Sequence, residues 1–260
     1  MPRIELKNVS KIYFSNSVFV YALKDITLTI EDSDFLCIVG PSGCGKTTLL
    51  NVIAGLTNIE RGEILVDDMP IKGPGTDRVV MFQEPALFPW LNVVQNVAFG
   101  LRMAGLLKEE SFERARALLR LVKLSKFEKA WIHQLSGGMK QRVALARALA
   151  LDPGVLLMDE PFAALDAQTR DMLHEELEML WLETGKTIIF VTHNVREAVR
   201  LGNRVILMTA RGGLIKKEYN ISLPRPRHIE DKDVIEFARI IRDDLREEVL
   251  KVAEGGEQFE

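Results

Sequence analysis

The sequence predicts an α/β fold with a parallel core, an N-terminal antiparallel β stretch and an inserted helical stretch. Three observations carry the prediction. Short, almost fully apolar runs at 155–158 (Val-Leu-Leu-Met), 187–191 (Thr-Ile-Ile-Phe-Val) and 204–208 (Arg-Val-Ile-Leu-Met) have the pattern of parallel strands covered on both faces. Helical segments separate these runs, so β and α alternate. The apolar run 35–39 (Phe-Leu-Cys-Ile-Val) passes into a glycine loop at 40–48 and then into an apolar helix, which reads as strand, loop, helix.

Taken in order, residues 4–9 and 26–30 alternate apolar and polar with period two and read as half-buried strands. Residues 14–20 between them read as a turn followed by a strand. The helix after the glycine loop stops near Gly55, in the place of a C′ glycine. Residues 62–68 read as a strand entering a hairpin, and 78–82 as a buried strand ending at Gln83. From Pro85 the pattern changes. Asn92 and Gln95 make a capping box at the head of a helix that carries Val93, Val97, Leu101 and Met103. Phe112, Ala115, Leu118, Leu119 and Val122 mark a second amphipathic helix. Residues 223–227 form an extended connector. A last helix begins near Asp233, lays Val234, Phe237, Ala238, Ile241, Leu245 and Val249 on one stripe, and frays at Gly255 and Gly256. The expected organisation is a discontinuous core (1–84 and 152–226), a helical subdomain (85–151) and a C-terminal helical extension (227–260).

The loop at 40–48, Gly40-Pro41-Ser42-Gly43-Cys44-Gly45-Lys46-Thr47-Thr48, matches G-x-x-x-x-G-K-[ST]. Its glycines let backbone N–H groups turn inward around phosphate oxygens, and the following helix adds its positive end. Lys46 reaches for the β- and γ-phosphates and Thr47 offers a hydroxyl to Mg²⁺. The loop therefore predicts a nucleoside triphosphate site.

Composition narrows the field. The chain has 260 residues, enough for one large domain or two lobes, and a net charge of −3, which gives no global field for nucleic acid. Residues 85–135 are locally basic and the tail from Arg227 is acidic. The two cysteines, Cys37 and Cys44, flank and occupy the phosphate loop. A disulfide there would distort it, so reduced thiols in a cytosolic setting are expected. No signal-peptide pattern opens the sequence, and no apolar run is long enough to span a membrane.

The run 155–158 ends in Asp159 and Glu160. At the carboxyl end of a parallel strand in a phosphate-loop protein, such a pair suits Mg²⁺ coordination by Asp159 and general-base action on water by Glu160. The segment Leu135-Ser136-Gly137-Gly138-Met139-Lys140-Gln141-Arg142 then resembles the Leu-Ser-Gly-Gly-Gln signature of ABC transporter ATP-binding subunits.

That resemblance covers residues 4–226, with six motifs in order. It implies a P-loop NTPase core of the ABC ATPase kind and an ATP hydrolase with Mg²⁺ as its ion. Ser136, Gly137 and Gly138 would cap the γ-phosphate of ATP held by a second copy of the chain. Gln83 resembles the Q-loop glutamine, which senses the γ-phosphate and Mg²⁺. His193 resembles the switch histidine that orients the attacking water. Asp166, in Ala163-Ala164-Leu165-Asp166, resembles the D-loop aspartate facing the partner subunit, and Tyr13 the aromatic stacked on adenine, with Phe14 as its rival. Residues 83–97 look most like importer ATPases of the nitrate, sulfonate and taurine type; pyrimidine-type vitamin precursors are compatible cargoes too. The implied partners are a transmembrane permease and, through it, a solute-binding protein, and the implied place is the cytoplasmic face of the membrane. Ile132, Ala163 and Asn194 depart from the group's usual residues without removing a group that hydrolysis needs. Two alternatives stand beside this reading: a soluble ABC ATPase acting on nucleic acid or ribosomes, and a nucleotide-dependent regulatory module that does not hydrolyse.

Overall fold

The computed structural model describes residues 2–15 and 18–256. Along the chain the elements are β1 (Ile4–Ser15), β2 (Val18–Ile30), β3 (Phe35–Val39), α1 (Lys46–Ile53), β4 (Arg61–Val66), β5 (Met69–Pro70), β6 (Arg78–Met81), α2 (Val93–Met103) and α3 (Lys108–Leu121). There follow α4 (Gly137–Leu149), β7 (Val155–Asp159), α5 (Ala167–Thr184), β8 (Thr187–Val191), α6 (Val195–Leu201), β9 (Arg204–Met208), β10 (Ile215–Asn220) and α7 (Lys232–Gly256). They fall into two compact units, Met1–Gly75 with Gly185–Glu260, and Thr76–Thr184.

In the first unit an antiparallel sheet runs β2-β1-β4-β5. The two period-two patches are the visible ends of much longer strands. Register shifts between Leu6 and Val9, Val9 and Lys11, and Lys11 and Ile12 change the phase of the side chains, so the alternation breaks off where the pairing continues. Residues 16–17, part of the expected turn, lie outside the described residues.

A second sheet in this unit sets β3 between β8 and β9, parallel to both, with β10 antiparallel along β9. Every residue of β3 and β8 is buried, as a parallel strand covered on both faces requires. After β3, helix α1 closes with Ala54 as its C-cap, and Gly55 takes a left-handed φ of 73°. Leu56 N–H donates to the Asn51 carbonyl and Gly55 N–H to that of Val52, which closes the helix as a Schellman motif.

Helix α7 packs on α6 and buries Val234, Ala238 and Ile241. The expected stripe fails at its far end. Val249 is 48% exposed, and Glu248 beside it is 2% exposed. Its carboxylate accepts from Ala210 N–H at 3.0 Å and pairs with Lys216 and Lys251, so a polar cluster anchors the end of this helix.

In the second unit β6 and β7 pair in parallel. Asn92 and Gln95 close the expected capping box, with both bonds at 2.9 Å. Helix α2 packs on α3 and α4, and Val97, Ala98, Leu101, Ala115, Leu119 and Val143 are buried. Met103, expected on the α2 stripe, is exposed. Among the described residues no helix is long and apolar enough to cross a membrane.

Candidate functional site

In the first unit β3 delivers the chain directly into the phosphate loop. Gly40 is buried, and a Cβ there would lie 2.7 Å from Cys44 Sγ. Gly43 and Gly45 have φ of 75° and 104°, left-handed values that other residues adopt only with strain. A Cβ on Gly45 would also meet the Ala22 carbonyl oxygen at 2.3 Å. Gly45 is the N-cap of α1 and offers no side-chain acceptor to the helix's first N–H groups.

Lys46 lies inside the loop, 8% exposed, and its Nζ donates to the carbonyls of Gly40 and Pro41, each at 2.9 Å. Cys44 Sγ lies 3.9 Å from the same Nζ, a weak acceptor for its third hydrogen. A lysine held this way, over an uncapped helix start, suits a phosphate oxygen as its stronger acceptor. Burial pushes the Cys44 thiol up, only partly offset by the Lys46 charge, so it stays protonated. Pro41 is buried, Ser42 and Thr47 are exposed, and Thr48 is half-buried.

His193 belongs to the same unit. Ile38 on β3 faces Val191 on β8, and Thr192 N–H continues the ladder to the Ile38 carbonyl at 3.1 Å. Gly40 and His193 therefore leave two neighbouring strands at the same level, at their carboxyl ends, where parallel sheets bind ligands. The His193 side chain is exposed. Tyr13 lies on β1 opposite Val20, exposed, with Lys11 Nζ 5.1 Å from its ring centroid. Phe14 packs instead on Phe19, with centroids 5.0 Å apart.

The second unit repeats the arrangement with acids and amides. Met81 on β6 faces Met158 on β7, so Gln83 and Glu160 each lie two residues beyond the same register pair. Asp159 closes β7, half-buried, and Glu160 follows with a left-handed φ of 44°. Such strain in a bulky acid is concentrated at functional positions.

Ser136 is the N-cap of α4, its Oγ accepting from Met139 N–H at 3.3 Å. Ser136 and Gly137 are exposed, whereas Gly138 is buried and a Cβ there would lie 2.5 Å from Thr169 Cγ2. Gly138 thus lets α4 pack closely on the start of α5. Asp166 caps α5, its Oδ1 accepting from Thr169 N–H at 2.9 Å, and that bond holds the carboxyl below its ordinary value.

Sequence reasoning missed two residues of α4 that hold the stretch after Gln83. Gln141 Nε2 donates to the Gln83 carbonyl at 2.9 Å. Arg147 donates to the carbonyls of Pro85 and Ala86, both at 2.8 Å, and stacks 5.5 Å from the Phe88 ring centroid. Their partners lie about sixty residues away in the chain, so helical periodicity carries no sign of them.

A buried parallel strand that ends in a lysine-bearing glycine loop over an uncapped helix makes this protein a P-loop NTPase. The chain belongs to the ABC transporter family, whose profile matches residues 23–163. It is 49% identical over 249 residues to an ABC transporter ATP-binding protein of Methanocaldococcus jannaschii, covering 96% of this chain and 93% of that one. It is 47% identical to the nitrate import ATP-binding protein of Synechocystis sp., covering 85% of this chain and 83% of that one. It is 45% identical to the taurine import ATP-binding protein of Burkholderia thailandensis, covering 86% of each. Among solved structures it resembles a dimeric ATP-binding cassette bound to ADP and Pi in a post-hydrolysis state. The TM-score is 0.76 and the identity 35%, over 85% of this chain and all of that one. The chain is an ATP-binding, ATP-hydrolysing subunit of the ABC transporter kind.

Proposed function

We propose that this subunit energises import of a small solute of the nitrate, sulfonate or taurine class through a separate permease, at the cytoplasmic face of the membrane. A solute-binding protein delivers the cargo, and two copies of the chain bind ATP head to tail. The exposed N-terminus of α4 carries this reading: Ser136 and Gly137 present a second phosphate-reading surface besides the loop around Lys46. The dimeric state of the solved relative with ADP and Pi supports the pairing. The names of the nitrate and taurine import relatives support the cargo class.

Thr47 in the first unit and Gln83 and Asp159 in the second each carry an oxygen donor of the kind Mg²⁺ takes, and these are the residues that would hold the ion. When bound there, the ion would supply charge neutralisation on the phosphates. Lys46 shares that work, while Gly40, Pro41, Ser42, Gly43, Cys44, Gly45 and Thr48 complete the phosphate loop. Glu160 accepts the proton of the attacking water, and His193 orients that water against the γ-phosphate. Tyr13 stacks on the adenine, and Asp166 faces the second copy.

Titration of Lys46→Ala with a fluorescent ATP analogue tests the loop: nucleotide binding or turnover is expected to be lost, and full activity would remove the reading. Co-purification of the permease and binding protein, followed by ligand titration of the latter, tests the cargo class.

A further inference from the structure

His193 is flanked by two residues whose polar groups close one ring. Asn194 is the N-cap of α6, its Oδ1 accepting from Arg196 N–H at 3.0 Å and Glu197 N–H at 3.4 Å. In a capping box the acid at the third helical position takes the N-cap residue's own N–H. Here a hydroxyl is interposed. Asn194 N–H donates to Thr192 Oγ1 at 3.0 Å, and Thr192 Oγ1 donates to the Glu197 carboxylate. A hydroxyl has one hydrogen; committing it to Glu197 turns its lone pairs toward Asn194. Thr192 is 2% and Glu197 5% exposed, so water does not compete for these bonds. The ring encloses a single residue between its tied ends, and that residue is His193.

We propose that Glu197 is a positioning residue for ATP hydrolysis: acting through Thr192, it fixes the backbone on both sides of His193 and hence the direction of the imidazole. The proposal rests on the reading of His193 as the residue that orients the attacking water. The N-cap bonds of Asn194 alone hold the helix start; the relay adds a hold on the residue before the histidine.

The test is a set of steady-state turnover and nucleotide-binding measurements on Glu197→Met, Thr192→Val and Glu197→Gln, each alone and with His193→Ala. In the wild-type background, Glu197→Met and Thr192→Val are expected to lower kcat on the order of ten- to a hundredfold while ATP affinity stays within about twofold, because the relay bears on the reacting geometry and not on the phosphate loop. Glu197→Gln, whose amide oxygen still accepts from Thr192, is expected to restore most of the turnover. With His193→Ala in place, Glu197→Met is expected to lower kcat no further. An equal loss in both backgrounds, unchanged turnover in Glu197→Met, a loss confined to nucleotide affinity, or no rescue by glutamine overturns the positioning role. Should Glu197→Met fail to fold, the near-isosteric Thr192→Val carries the same comparison. Full turnover of His193→Ala alone would remove the underlying reading, a result separable from failure of the relay.

Discussion

Gln141 donates from Nε2 to the backbone carbonyl of Gln83 at 2.9 Å, tying the helix that starts at Ser136 to the segment that carries the expected γ-phosphate sensor. Gln141 is buried, and among the described residues its Oε1 has no hydrogen-bond partner. Gln141→Leu therefore removes one bond and one unsatisfied oxygen together. The expected stability loss is below about 1 kcal/mol, read by urea unfolding, because a net hydrogen bond is worth about that much and the relieved oxygen offsets part of it. A loss beyond about 3 kcal/mol would show that the glutamine does more than hold Gln83.

Arg147 holds the same segment one step further on. Its planar fork serves the carbonyls of Pro85 and Ala86 together, and Ala86 has a left-handed φ of 45°. A lysine ammonium lacks that fork. Arg147→Lys is expected to speed amide exchange across residues 83–88 while leaving exchange in β7 unchanged. Uniform acceleration over the second unit would point to global destabilisation instead.

The two left-handed glycines of the phosphate loop differ in a measurable way. A Cβ at Gly43 meets nothing within 4 Å, so Gly43→Ala carries only the conformational cost, about 1–2 kcal/mol. At Gly45 the same Cβ collides with the Ala22 carbonyl. Calorimetric ATP titration is expected to show a modest loss for Gly43→Ala and near-complete loss for Gly45→Ala. The reverse order would contradict the loop geometry.

Gly138 and Gly137 separate packing from function on α4. Gly138→Ala collides with Thr169 Cγ2, so adding Thr169→Ser, which deletes that methyl, is expected to restore the melting temperature. At Gly137 a Cβ would be 3.7 Å from Leu165, an ordinary contact, yet the residue is exposed at the helix start. Gly137→Ala is expected to melt like the wild type and hydrolyse ATP more slowly.

Much of this was legible in the sequence, for physical reasons that differ by residue. The strands at 35–39, 155–158 and 187–191 are buried on both faces, so apolar composition alone marks them. Gly55 and the Asn92–Gln95 box are local, set within one turn of a helix. Strand β10 went unread because it pairs on one side with β9 and carries Lys216, Lys217 and Glu218, whose place is decided by distant partners. The same holds for Glu248, whose ligands are Ala210 and Lys216 across the chain as well as Lys251 nearby. Asn194, a departure from the family's usual aspartate, proves to be a competent cap for α6.

The anchoring of α7 carries a pH signature. Burial raises the Glu248 carboxyl, but hydrogen bonds from Lys251, Ala210 N–H and Lys216 outweigh it and hold the group at about 2. An unfolded glutamate titrates near about 4.3. A carboxyl lowered in the folded state stabilises above the unfolded value, and that contribution fades as pH falls toward the folded one. Amide exchange in the second half of α7 is expected to quicken as pH drops from about 4.5 toward about 2, after correction for intrinsic exchange, and Glu248→Gln is expected to lose much of that dependence.

The central claim is that each ATP is hydrolysed between two copies of the chain, with Glu160 as the base. Size exclusion of Glu160→Gln with and without ATP, alongside its turnover, tests this most directly. A dimer that forms only with ATP and a turnover close to zero are expected. A variant that stays monomeric at saturating ATP, or hydrolyses it at the wild-type rate, would contradict it.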